Sequence, residues 1–204
     1  FEDAEAALGR AEGARAFDLA LGDHHHFARF DLADEFGADD VQGAGLGGQH
    51  ETVVADLPDN RLHENRHPLS AFAFAPDGAL LVNIGAPSDQ CLDARGKAPG
   101  DLCPESESGE RAASIRRYPP DGHGGWSRDY TVYARGLRNS VALGVHRSGT
   151  VLQGENSYDF DDHWQPYDEV NRIEAGRGYG WPYCYDIRTP TPGWKSGSTI
   201  RCAS

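Results

Sequence analysis

Short apolar stretches broken by glycine turns recur along the chain. Residues 16–21, Ala-Phe-Asp-Leu-Ala-Leu, run into a Gly22-Asp23 turn and then a second stretch, 24–32. Phe72-Ala73-Phe74-Ala75, a Pro76-Asp77-Gly78 turn and the apolar run 79–84 repeat the arrangement. So do residues 141–145, an Arg147-Ser148-Gly149 turn and residues 150–152. Each reads as strand, tight turn, strand, because proline presets φ and glycine tolerates the positive φ that such turns use. A further strand-like segment follows each hairpin: 51–55 after the first, 114–118 and 130–133 after the second, 170–173 after the third.

Repeated strand units some tens of residues apart are the pattern of propeller blades. A β-sandwich also has short strands and glycine turns, but recurrence of the same hairpin favours the propeller. The expected fold is therefore all-β, a β-propeller of which this chain holds about three blades. A ring closes with about 4 to 8 blades, so the remainder is expected to lie in a longer parent. The division expected is an N-terminal segment of poorly defined structure, 1–15, and a partial propeller domain, 16–204. Long loops at 86–112 and 155–167 each follow the second strand of a hairpin, which puts them on one end of the molecule. Long insertions on one face are where binding chemistry collects.

Composition narrows the classes. Twenty-five glycines and twelve prolines suit many tight turns,. The formal net charge of −13 disfavours a nucleic-acid partner, since like charges repel and no basic stripe is visible,. No window approaches a membrane span. The chain contains no methionine, even at position 1, which is expected of a processed chain or a fragment. No signal peptide is visible, so localisation is read from the cysteines. Cys91 and Cys103 flank one polar loop, Cys184 and Cys202 another. Three connectivities are open. Sequential pairing closes two short loops, and the spacing is unlike that of zinc ligands. Disulfides point to an oxidising compartment, hence a periplasmic or secreted protein.

The residues that could carry chemistry begin with His67, just before a hairpin. Taken alone, a histidine before a strand is most often a hydrogen-bonded surface group, although imidazole is the side chain best matched to proton abstraction near neutral pH. Its context resembles a family. His67, the strand at 71–75, Pro76-Asp77-Gly78 and the run to Gly85 look like the histidine-to-blade segment of the soluble glucose and sorbosone dehydrogenases that use pyrroloquinoline quinone. Gly136-Leu137-Arg138-Asn139 resembles that family's glycine, variable, arginine, asparagine motif. Asp168-Glu169-Val170-Asn171 followed by Gly178-Tyr179-Gly180-Trp181-Pro182 resembles its acidic pair and Tyr-Gly-Trp-Pro signature. The cysteine loop and Pro182-Tyr183-Cys184 are closer to the sorbosone-dehydrogenase-like, aldose sugar dehydrogenase branch. The resemblance spans roughly residues 55–202.

The resemblance implies a six-bladed complete protein, a quinoprotein that oxidises an aldose or related sugar aldehyde and passes electrons to an acceptor. It implies His67 as the base taking the proton of the anomeric hydroxyl, with Arg138 and Asn139 at the quinone. A guanidinium suits a quinone that carries three carboxylates, because its fork holds a carboxylate bidentately. It implies calcium at the turn Asn156-Ser157-Tyr158, through the Asn156 side chain and the carbonyls of Ser157 and Tyr158, since a hard cation takes oxygen ligands. The acidic residues Asp159, Asp161 and Asp162 that follow are an insertion, either support for a cation or a solvated loop.

The chain departs from the family pattern in places. Ser140-Val141-Ala142 stands where the family often has Pro-Gln-Gly, Arg66 where the glucose enzyme has an aspartate, and Asn156-Ser157-Tyr158 where it has Gln-Gly-Pro. Further cofactor-holding arginines and a lysine belong to later blades of the family. The altered sequence after Asn139 motivates a second reading, a non-catalytic calcium-binding propeller that engages a protein or glycan. A metal-dependent lactone hydrolase is a third. His24 and His26 share a strand face and are read as surface groups. Gly47-Gly48 lacks the context of a nucleotide loop, and the four tryptophans are read as core or loop anchors, with Trp164 on the insertion face,.

Overall fold

The computed structural model describes residues 17–19, 28–30, 51–55, 57, 66–107, 112–161 and 164–194. The segment 1–15, the histidines at 24–26, Gly47-Gly48, Asp162 and Cys202 lie outside the described residues. The strands are β1 (Phe17–Leu19), β2 (Ala28–Phe30), β3 (Glu51–Val54), β4 (Phe72–Phe74), β5 (Leu80–Ile84), β6 (Ser114–Tyr118), β7 (Thr131–Arg135), β8 (Ser140–Val145), β9 (Val151–Glu155), β10 (Glu169–Ile173), β11 (Cys184–Tyr185) and β12 (Thr189–Pro190). One short helix, α1 (Pro104–Glu107), interrupts them. They form sheets ordered β2-β1-β3, β4-β5-β6-β7, β10-β9-β8 and β11-β12.

The second and third expected hairpins form and close by the same bonds; of the first, β1 and β2 pair antiparallel, while its turn lies outside the described residues. Ala75 N donates to Ala79 O and Gly78 N to Ala75 O, both at 2.8 Å; His146 N donates to Thr150 O and Gly149 N to His146 O, again at 2.8 Å. Gly78 and Gly149 hold φ of +80° and +84° in these turns, a region closed to most side chains,. The repeat seen in the sequence is thus a repeat of backbone geometry. The first unit differs. β3 pairs parallel with β1, on the side away from β2. A parallel neighbour needs a long crossover, and the connection from Phe30 to Glu51 is long enough to permit one.

β5 is buried along its whole length and explains how the sheets stack. Alternation sends Leu80, Val82 and Ile84 to one face, where they pack with Val54, Leu57 and Leu69,. Leu81 faces the other way, into a cluster with Ile115, Leu137, Val151 and Ile173. The middle sheet therefore lies between β3 on one side and the β8-β9-β10 sheet on the other. Strands buried on both faces read as continuous apolar runs, which is why 79–84 lacks the polar alternation of an exposed sheet.

The leading strands of neighbouring sheets are pinned to one another. Ser70 Oγ, just before β4, donates to Ser140 O at the start of β8 at 2.5 Å, and Asn83 Oδ1 on β5 accepts from the amides of Ser70 and Ala71. The result is an all-β fold of sheets stacked face to face, consistent with part of a propeller; among the described residues no ring closes. No helix among them is long and apolar enough to cross a membrane. The expected Cys91–Cys103 disulfide is present, and Cys184 is disulfide-bonded as well.

Candidate functional site

His67 is buried where the chain enters β4. Its Nδ1 lies 2.6 Å from the carbonyl of Ala86, just past β5. A carbonyl only accepts, so in the neutral ring the proton sits on Nδ1 and the lone pair on Nε2. Gly85 makes this approach possible: a Cβ there would stand 2.0 Å from the carbonyl oxygen of His67. Burial, followed by the positive field of Arg138, holds the imidazole below its ordinary pKa. The Ala86 bond and the carboxylates of Asp89 and Asp159 oppose that shift without reversing it. The ring is therefore poised neutral, the form that can accept a proton.

One backbone bond separates His67's support from the second motif, since Ala86 N donates to Arg138 O at 2.7 Å. Arg138 is the largest fully buried side chain among the described residues. A guanidinium has five N–H donors in a planar fork, and all three of its nitrogens meet oxygens. Nε donates to Asp89 O at 3.3 Å, and Nη1 to Asn156 O and Ser157 O at 3.1 and 2.5 Å. Nη2 reaches Asp89 Oδ1 at 2.7 Å and Asp159 Oδ2 at 3.1 Å. A buried cation is tolerated only when paired and hydrogen-bonded, and this one is both.

Asn139 faces the same turn. Its Nδ2 donates to Asn156 Oδ1 at 3.3 Å, and its backbone carbonyl accepts from Asn156 N at 2.9 Å. Asn156 Nδ2 and Ser157 N in turn donate to Asp168 Oδ1 at 3.2 and 3.0 Å. Beneath this turn lies Glu155, at the end of β9. Its Oε1 accepts from Asn139 N at 3.0 Å, and Oε2 accepts from Gln153 Nε2. Burial raises its pKa to about 7, against the pull of those donors.

The last signature closes the back of the site. Trp181 N donates to Gly136 O at 3.1 Å, and its indole N–H donates to Asp89 O at 2.8 Å. Gly136 sits at φ +71° and a Cβ there would come within 2.9 Å of Gly180 N, so the two motifs meet backbone to backbone. A narrow pocket behind Arg138 is lined by Glu155, Ser157, Glu169, Asn171, Tyr179 and Trp181, among others.

Of the residues singled out in the sequence, His67, Arg138, Asn139, Asn156 and Ser157 are thus brought to one end of the stack. The ring of Tyr158 is buried against Phe160 and Tyr185, and its OH donates to Cys184 O at 2.8 Å. Trp164 is exposed on the surface. Sequence reasoning missed Asp89 and Glu155. Asp89 sits in the polar run between Gly85 and the disulfide, where one aspartate looks like any other. Glu155 is the outer end of an alternation, Val151-Gln153-Glu155, that signals a strand face without saying which face is inward.

Two groups implied by the resemblance can be tested against these contacts. Two of the three oxygens expected for calcium are engaged by protein: Asn156 Oδ1 accepts from Asn139, and Ser157 O accepts from Arg138. A divalent cation on the Ser157 carbonyl would share that oxygen with a guanidinium, and the two repel. Calcium does not fit this arrangement. A quinone with three carboxylates meets a guanidinium whose nitrogens are all engaged, Nη2 by two carboxylates; it fits only in the place of one of those. Cys91, Cys103 and Glu105 cluster as metal ligands do, yet the two sulfurs are bonded to each other and are not thiolates.

A family model described as Glucose / Sorbosone dehydrogenase matches residues 47–191. Solved structures similar to the chain include the PQQ-bound aldose sugar dehydrogenase of Streptomyces coelicolor, at 24% identity over 72% of this chain and 38% of that one, with a TM-score of 0.47. A putative glucose dehydrogenase of Thermus thermophilus matches at 26% identity over 64% and 36%, TM-score 0.38. The pyranose dehydrogenase PQQ domain of Coprinopsis cinerea matches at 20% over 59% and 30%, TM-score 0.37. The chain spans between 30% and 38% of the length of these three. No curated protein matches it.

Proposed function

The chain belongs to the glucose/sorbosone dehydrogenase family, and from that premise we propose that it is part of a quinoprotein that oxidises an aldose or related sugar aldehyde. The observation that carries the reading is a convergence. His67 bonds to Ala86 O, Ala86 N bonds to Arg138 O, and the Arg138 fork reaches the carbonyls of the 156–157 turn.

In this reading His67 is the base. Its Nε2 lone pair takes the proton of the sugar's anomeric hydroxyl while the carbon-bound hydrogen and its electron pair leave. A positioned base is worth about 10² to 10⁴ in rate. Ala86 O holds the ring in the required tautomer and stabilises the imidazolium that forms. The chemistry a bound pyrroloquinoline quinone supplies is acceptance of that hydride. Arg138 and Asn139 are the residues that would hold it, through a carboxylate and a quinone oxygen. No step is assigned to calcium. The disulfides support an oxidising compartment, the periplasm or outside the cell,.

Reconstitution with the quinone, followed by dye reduction with a panel of aldoses, tests the reading. Replacing His67→Ala is expected to lower the rate by about 10² to 10⁴. No dye reduction, or a rate unchanged by the substitution, defeats it.

A second reading, a non-catalytic propeller module, is favoured by one observation: every nitrogen of the Arg138 guanidinium is already engaged inside the protein. A quinone titration separates the two, because a module of that kind shows no quinone-specific absorbance change.

A further inference from the structure

Arg138 is held by two carboxylates that are not equivalent. Asp89 is the inner one: its side chain is 13% exposed, against 71% for Asp159. Asp89 is also tied from many directions. Its Oδ1 accepts from Asp159 N at 3.1 Å and its Oδ2 from Gln90 Nε2 at 2.8 Å, while its carbonyl takes both Arg138 Nε and the Trp181 indole. The loop that carries it is fastened at both sides. Ser88 bonds through its amide and hydroxyl to Glu105 on α1, and Cys91 is joined to Cys103. Asp159 holds the guanidinium by one Nη2–H, from a solvated position in the insertion that follows the 156–158 turn.

We propose that Asp159 is a displaceable counter-ion of Arg138, standing where the carboxylate of an anionic ligand binds, so that such a ligand enters by exchanging with it. The asymmetry is the argument. Withdrawing Asp89 would leave a buried guanidinium short of charge and two of its bonds, a costly state. Withdrawing Asp159 returns an exposed carboxylate to water, and ion pairs with an exposed partner are weak. The same edge of the guanidinium then accepts another carboxylate at no change in local charge. Asp159 therefore sets the affinity threshold for anions at this end of the molecule, as a competitor that is always present. The identity of the anion, a quinone carboxylate, rests on the function proposed above; the exchange itself does not.

The test compares the chain with its Asp159→Asn variant, whose exposed site makes folding the expected outcome, checked by thermal melting. Equilibrium dialysis against pyrroloquinoline quinone measures affinity, and peptide mass mapping measures the rate at which phenylglyoxal modifies Arg138. Loss of one competing exposed ion pair predicts binding tighter by about two- to fivefold and faster modification of Arg138. An affinity unchanged or weakened by the substitution, or an unchanged modification rate, overturns the proposal. If neither protein binds the quinone, the modification rate decides. A rise keeps the exchange and removes the quinone as its anion, and no rise sinks the exchange as well.

Discussion

The indole N–H of Trp181 donates to the main-chain carbonyl of Asp89, 92 positions earlier, at 2.8 Å. That single bond ties the Tyr-Gly-Trp-Pro segment to the loop that neutralises Arg138. Since the same carbonyl also accepts from Arg138 Nε, the tryptophan acts on the site through the position of Asp89. Trp181→Phe removes the donor and part of a buried ring. The expected loss is about 1–3 kcal/mol of stability, read from urea denaturation. A variant as stable as the parent would mean that the loop is held without it.

Gly85 makes the sharpest steric prediction. Gly85→Ala drives a methyl group to 2.0 Å from His67 O, and neither backbone can give way without disturbing the bond from His67 Nδ1 to Ala86 O. Overpacking of this kind costs about 1–3 kcal/mol. The imidazole should also lose its depressed pKa, because the shift arises from burial in that position. An NMR titration of His67 in the variant, alongside the parent, checks it.

Glu155 gives the fold a pH dependence of definite sign. Its pKa is raised from 4.5 to about 7 in the folded chain, chiefly by burial. The folded state therefore binds more protons than the unfolded state between those values. Stability from this group is full below the unfolded pKa and is lost as pH rises through about 7. Glu155→Gln removes the titration. Relative to the parent, the variant should gain on the order of 3 kcal/mol between pH 4.5 and pH 8, measured as the difference between two denaturation series. His67 works in the opposite sense. Its lowered pKa adds stability that is present above its unfolded pKa and lost as pH falls through the folded one,.

Calcium should leave this chain unmoved. The Ser157 carbonyl serves Arg138 and the Asn156 side-chain oxygen serves Asn139. A ligand that binds the folded state raises Tm in proportion to the logarithm of its concentration over Kd. Millimolar calcium, with and without a chelator, is therefore expected to give the same melting curve. A chelator-sensitive rise in Tm would mean that the guanidinium yields that carbonyl to the ion.

Much of the architecture was legible because it is local. Turn chemistry at Pro76-Asp77-Gly78 and Arg147-Ser148-Gly149 and the apolar run through Leu80 and Ile84 depend on neighbours in the chain, and they form as their sequences predict. The motif glycines were informative for the same reason: Gly85 and Gly136 mark places where no Cβ fits. His67, Arg138 and Asn156 were brought out together by the resemblance of their motifs to those of the family.

Tertiary structure alone decided which oxygens Arg138 would meet and which face of β9 would turn inward. Leu152 is 48% exposed while Gln153 and Glu155 are buried, a reversal of what hydrophobicity suggests for that strand. The inward side is set by the polar partners waiting there, Ser140, Asn171 and the amide of Asn139. Asp89 was likewise indistinguishable from any loop aspartate until the 86–91 loop was seen folded across Arg138. Both outcomes depend on which distant groups the stacked sheets bring within hydrogen-bond reach, and no local pattern of residues encodes that distance.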